Sequence, residues 1–157
     1  MDSNFHLILP SMLTLLDSSH AKVRTHGTII LSNVLYLMDG SFLARTGLAE
    51  LIWATVFPNL SSLPPITELN ESVELLQVTY NALLELARLW HPCMDKRAPL
   101  LDKLVRDGVI YAMMFSGEQL RIAKVELESL RLIVQVMGIY FVKHLKVWPD
   151  AHSSYNM

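Results

Sequence analysis

The chain has 157 residues, 52% of them hydrophobic and 18% charged, with a formal net charge of −2. That balance supports one domain with a sizeable core and excludes a mainly disordered chain. A pI of about 6.3 leaves no electrostatic footprint for nucleic acid or an anionic membrane surface, so the expected partner is protein. The one cysteine, Cys93, cannot close an internal disulfide and fits a reducing compartment, the cytoplasm or nucleus.

The first ten residues lack a basic segment and their apolar run stops at Pro10, which argues against a signal peptide. Ile8, Met12, Leu15 and Leu16 recur at helical spacing and predict a first helix, with Pro10 early in it. Asp17-Ser18-Ser19-His20 is a polar turn offering N-cap side chains. A second amphipathic helix follows through Val23, Gly27, Ile30, Leu31, Val34, Leu35 and Met38, and ends at Asp39-Gly40. A short connection makes the pair an antiparallel hairpin, one unit of an α-solenoid, which buries its apolar face only by stacking on further units.

Residues 41–45 read as a helical turn, and a third helix starts at Thr46 or Gly47 and runs through Leu51, Ile52, Val56, Phe57 and Leu60, with Pro58 inside it. Pro10 and Pro58 lie 48 residues apart, close to the roughly 40 to 47 residues of HEAT and armadillo units. Pro64-Pro65 stops this helix. The fourth helix has the cleanest stripe, through Val73, Leu76, Tyr80, Leu83, Leu84, Ala87 and Trp90, with acidic residues at its start and Arg88 and His91 at its end. A fifth helical region spans residues 96–115 around Leu100, Leu101, Leu104 and Val105, with a break at Asp107-Gly108; it is read as lacking the inner proline of the first two units.

The sixth helix reads as continuous from Glu118 to about His144. In its first half Arg121, Lys124, Glu128 and Arg131 oppose Ile122, Leu127, Leu130 and Val134, the pattern of a solvated face with helical ion pairs. Residues 132–142 are apolar nearly all round, which calls for cover on more than one side. The remaining tail is short and polar, so the chain reads as a segment or short form of a longer solenoid. No apolar stretch reaches the roughly 18 to 20 residues of a membrane span.

The expected fold is therefore all-α, an α-solenoid of about three HEAT-like helical hairpins with antiparallel stacked helices. The repeat domain covers residues 1–146, in units of about 5–38, 46–91 and 96–144, followed by a polar tail, 147–157.

The chemistry-bearing residues are sparse. His91, Cys93 and Asp95 flank a proline but do not have the spacing of a closed metal site, and Cys-x-x-Cys and His-Glu-x-x-His patterns are absent. The glycines are scattered, with no phosphate-cradling loop and no Gly-x-Ser-x-Gly turn. Glu126 and Glu128, two apart, face different sides of their helix, which argues against a paired acid and base. No catalytic residue, metal or cofactor is expected. Among the tryptophans, Trp90 reads as core, whereas Trp148 stands beyond the last helix as a candidate interface anchor. Leu132, Val136, Ile139, Tyr140 and Trp148 are the candidate protein-interface residues.

Leu9-Pro10, Leu15-Leu16 and Val23-Arg24 match the HEAT pattern, departing from it at Ser18 and Gly27. Within about residues 5–90, five phrases occur in order: Leu13-Thr14-Leu15-Leu16-Asp17, Arg45-Thr46-Gly47-Leu48, Phe57-Pro58-Asn59-Leu60, Leu63-Pro64-Pro65-Ile66-Thr67 and Tyr80-Asn81-Ala82-Leu83-Leu84. Together they resemble the C-terminal half of the fungal Tel-two-interacting protein two family. Residues beyond 90 are similar only loosely, through the long helix and Val142-Lys143-His144-Leu145.

The resemblance implies a non-catalytic subunit of the TTT complex, bound to another helical-repeat subunit. Chaperone and kinase clients would be reached indirectly, in the maturation and stabilisation of phosphatidylinositol-3-kinase-related kinases. It transfers no functional residue to this chain. Two other readings stay open. One is an unrelated HEAT or armadillo scaffold of transport or phosphatase-adaptor type. The other is a helical small-ligand binder with a pocket in which His91, Asp95 and Arg88 converge.

Overall fold

The computed structural model describes residues 5–145. Helices α1 (Phe5–Leu16) and α2 (Ala21–Leu37) form the first hairpin. Phe5, Met12 and Leu16 are the buried positions of α1, which centres its seam so that Ile8 falls at the margin, 49% exposed. The turn is held by Ser18 Oγ, which accepts the His20 N–H at 3.2 Å; His20 is the N-cap residue but makes no side-chain cap.

Of the predicted α2 stripe, Gly27, Leu31 and Leu35 are buried, Val23, Val34 and Met38 are half-buried and Ile30 is exposed; the buried seam is completed instead by Ala21, Thr25 and Thr28. Polar residues are tolerated there because the Thr25 and Thr28 hydroxyls bond back to the Ala21 and Arg24 carbonyls, at 3.0 and 2.8 Å, leaving those donors satisfied.

A short α3 (Gly40–Thr46), capped by Asp39 accepting the Ser41 N–H at 3.0 Å, leads to α4 (Leu48–Val56). The third helix does not continue through Pro58. It changes to a 3-10 turn (Phe57–Ser61) with the proline at its start, where a missing N–H costs nothing.

Helix α5 (Leu69–Trp90) is the spine. It lies between α2 and α8, and its nine buried positions (Ser72, Leu75, Leu76, Thr79, Tyr80, Ala82, Leu83, Leu86 and Ala87) carry no charge. Each fully buried leucine of this kind stabilises the fold by about 1.5–3 kcal/mol relative to an exposed one.

The third hairpin opens with α6 (Met94–Lys103), continues without a break through a π-helical stretch (Leu104–Ile110) and ends as α7 (Tyr111–Ser116). Pro99 sits inside α6, so the third unit has its inner proline after all, 41 residues beyond Pro58.

The partner, α8 (Leu120–Met137), is shorter than expected. It stops at Gly138, whose φ of +52° and ψ of −124° leave the helical region at a position where a side chain would be strained. A 3-10 turn (Gly138–Phe141) and a four-residue α9 (Val142–Leu145) follow, which overturns the single long helix. The buried seam of α8 runs Ile122, Val125, Glu126, Ser129, Ile133 and Met137, so Leu127, expected inside, is 51% exposed.

All nine described α-helices belong to this one stacked all-α solenoid of antiparallel hairpins, with α2, α5 and α8 side by side. No single described helix is long and apolar enough to cross a membrane; α2 and α3 reach that content only as a pair bent by 112°.

Candidate protein-docking surface

The docking surfaces of a solenoid are set by how its hairpins are fixed to one another, and the joint between the second and third contains a buried carboxyl. Glu126 of α8 is fully buried and accepts a hydrogen bond from the Tyr80 hydroxyl of α5 at 2.6 Å on Oε2; Oε1 has no partner among the described residues. Burial pushes the Glu126 carboxyl up to about 8, against the smaller opposing effect of the Tyr80 bond, and burial likewise raises the Tyr80 phenol well above its usual value. Gly108, in the π-helical stretch, closes the joint: a Cβ there would lie 2.9 Å from the Tyr80 oxygen and 3.0 Å from Leu60 Cδ1.

From the sequence, Glu126 is expected only to face a different side of the helix from Glu128, with no buried role. The signal that locates it is its place at four- and three-residue spacing between Ile122 and Ser129, continued by Ile133.

The last described residues are fixed to the third hairpin. Beyond Gly138 the backbone folds back on α6, burying Phe141. Tyr140 Oη donates to Asp95 Oδ1 at 2.5 Å, Lys143 Nζ donates to Asp102, and His144 Nε2 lies 2.7 Å from Asp102 Oδ1. Burial raises the Asp102 carboxyl, but the hydrogen bonds from Lys143 and His144 outweigh it and hold it below the usual carboxylate range. A depressed carboxyl contributes stability at pH values above its ordinary range and loses it as the pH falls through the folded value. Asp102→Asn is therefore expected to loosen this clasp by about 1 kcal/mol at neutral pH, read as faster amide hydrogen exchange confined to residues 138–145.

The predicted interface residues fall on both sides of the Gly138 turn. Leu132 is half-buried; Val136, Ile139 and Tyr140 are 43, 82 and 40% exposed. Tyr140 is tied to Asp95 within the chain, whereas Ile139 is the most open of the set. Trp148 lies outside the described residues. Further exposed apolar side chains, not singled out from the sequence, stand on the third hairpin itself: Met114, Phe115, Leu120 and Leu127. Of these, Leu127 was hidden by the rotated register of α8, while Met114 and Phe115 lie at the end of α7.

The residues proposed for a ligand pocket do not converge. Arg88 holds Glu85 through two bonds, at 3.0 and 2.5 Å, His91 stacks on Trp90 with ring centroids 4.8 Å apart, and Asp95 takes the Tyr140 hydroxyl. The nearby cavity of about 190 Å³ is lined by Arg88 but by neither His91 nor Asp95. Burial, then the charges of Lys96 and Arg97, lowers His91 from its usual value. Trp90, expected in the core, is half-buried at its edge.

A larger groove, about 980 Å³, opens between the α1–α2 turn and the 3-10 turn after α4, lined among others by Asp17, Ser18, Arg24, Thr55 and Asn59. There Arg24 bridges the two hairpins, donating to the Ser18 carbonyl at 3.3 Å and to Ser62 Oγ at 2.8 Å. Among the described residues no three His, Cys, Asp or Glu side chains are grouped to hold a metal ion.

These features define an all-α helical-repeat protein of stacked antiparallel hairpins. The profile of the Tti2 family matches residues 1–149, and the chain belongs to that family. No curated protein and no solved structure matches it.

Proposed function

We propose that this protein is a non-catalytic scaffold of the TTT complex. In this reading it binds another helical-repeat subunit directly and supports the chaperone-dependent maturation and stability of phosphatidylinositol-3-kinase-related kinases from the cytoplasm or nucleus. The observation that carries the reading is the family match over residues 1–149. The stacked hairpins agree with it in kind, because such an array offers long outer faces and holds partners by burying apolar area without a covalent step. Leu132, Val136, Ile139 and Tyr140 are proposed as part of that contact surface.

Affinity purification of the tagged full chain, followed by mass spectrometry, is the test. Co-purification of the other TTT subunits, and a fall in kinase abundance on depletion of the chain, are the expected results. A partner set drawn from transport or phosphatase assemblies would overturn the assignment. Ile139→Asp is expected to leave the fold intact and reduce the co-purifying subunits; unchanged recovery would remove residues 132–140 from the contact.

A further inference from the structure

The outer face of α8 differs in kind from the faces the solenoid uses to stack its own hairpins. α5, sandwiched between α2 and α8, buries only apolar and small polar or aromatic residues with no charge among them. The outward side of α8 instead presents Leu120 and Leu127, 84 and 51% exposed, beside Lys124, Glu128 and Arg131. These residues, with Ala123, line a shallow groove of about 410 Å³. A purely apolar face stacked here would leave Lys124, Glu128 and Arg131 with lost hydration and no answering charge from the partner. The face therefore suits a partner that brings charges of its own.

Its spacing says what fits. Leu120 and Leu127 are seven residues apart, as are Ala123 and Leu130, and as are Lys124 and Arg131. Leu120, Ala123 and Leu127 thus form a short outward seam at the spacing of one helix in a pair, with cations along one flank, while Leu130 packs against the protein's own core. Glu128 sits four residues from Lys124 and three from Arg131, the spacing of helical ion pairs, yet among the described residues neither cation has a carboxylate within 4 Å. Arg121, on the adjoining flank, already donates to Asn70 Oδ1. In place of the helical ion pairs expected from the sequence, this face carries cations with no ion-pair partner among the described residues, in a chain whose formal net charge is −2.

We infer that the outer face of α8 docks an amphipathic helix of a partner protein, whose apolar seam packs on Leu120, Ala123 and Leu127 and whose acidic flank pairs with Lys124 and Arg131. The inference rests on the scaffold reading above and names the chemistry of one partner element. A protein helix is favoured over an anionic lipid surface because Glu128 lies between the two cations, where it would repel a uniform sheet of phosphates but is readily accommodated by a helix with its own charge pattern.

The test uses the purified full chain and fluorescence anisotropy with two labelled four-heptad peptides. Both carry leucine at the core positions; one has glutamate and the other lysine at the flanking positions. The acidic peptide is expected to bind at least about tenfold more tightly than the basic one, with the difference shrinking as salt is raised. The double variant Lys124→Glu, Arg131→Glu is expected to invert the preference, and Leu120→Asp with Leu127→Asp to abolish binding of both. All four positions are on the surface, so the variants are expected to remain folded, which thermal melts check.

Equal affinity for the two peptides, no binding of either, or a preference untouched by charge reversal would overturn the inference. So would binding to phosphatidylserine vesicles that is lost with Leu120→Asp, or a homodimer dispersed by it. Loss of the peptide preference in a chain that still co-purifies with TTT subunits sinks this surface alone. A retained preference without those subunits sinks the complex assignment alone.

Discussion

Between pH 4.5 and 8 the stability of this protein is expected to fall with rising pH, by about 1.4 kcal/mol per unit where Glu126 dominates. The sign follows from the direction of the shift. The folded-state carboxyl, pushed up to about 8, binds its proton more tightly than the unfolded one. Its contribution is complete below the ordinary carboxylate range, declines as the pH rises, and is gone above about 8, where the buried anion faces only the Tyr80 hydroxyl. Asp102, with a depressed carboxyl, acts oppositely and only at the acid end.

Urea melts of the full chain at a series of pH values measure the slope, and Glu126→Gln, nearly isosteric and without charge, is expected to flatten it between pH 5 and 8. Parallel slopes for the two proteins would show that Glu126 is not the proton-binding group.

Gly108→Val is expected to cost about 3 kcal/mol, an overpacking penalty at the upper end of the usual range. The first carbon of the new side chain meets the Tyr80 oxygen at 2.9 Å and Leu60 Cδ1 at 3.0 Å, and nothing around it can retreat cheaply. Tyr80 is 1% exposed and Leu60 is also buried. Moving the phenol breaks its bond to Glu126 and leaves that carboxyl with no partner, so the loss includes an unmet buried polar group. Chemical denaturation measures the loss. A double-mutant cycle with Tyr80→Phe is expected to show strong coupling, since both changes act through the same hydroxyl. An additive cycle would mean that Gly108 matters for the π-helical backbone and not for the joint.

Helical periodicity made the all-α solenoid legible, and the polar turn at residues 17–20 and the strong stripe of α5 placed the first hairpin and the spine. Where the reading went astray, two neighbours competed for one helix. In α2 the predicted and buried stripes share Gly27, Leu31 and Leu35, and differ in that Thr25 and Thr28, not Ile30, complete the buried one. Back-bonded hydroxyls let the less hydrophobic one face α5. In α8 a rotation of the register carried Glu126 inward and Leu127 outward. Neither residue type announces such a swap.

The candidate surface was legible only in part. Residues 132–142 stood out by composition, but Gly138 broke the helix expected to carry them, and Tyr140 found an acceptor within the chain.

By itself, the amino-acid sequence determined the class of fold, because spacings of three and four residues survive any arrangement of the helices. It also determined the family, through short phrases spread along the first two hairpins. The tertiary structure alone decided which side of each helix is inside, because that depends on the neighbour that happens to be there. For the same reason it alone turned Glu126 into the buried group of a joint and left Lys124 and Arg131, beside Leu120 and Leu127, on an open face where no carboxylate of the described residues lies within 4 Å of either cation.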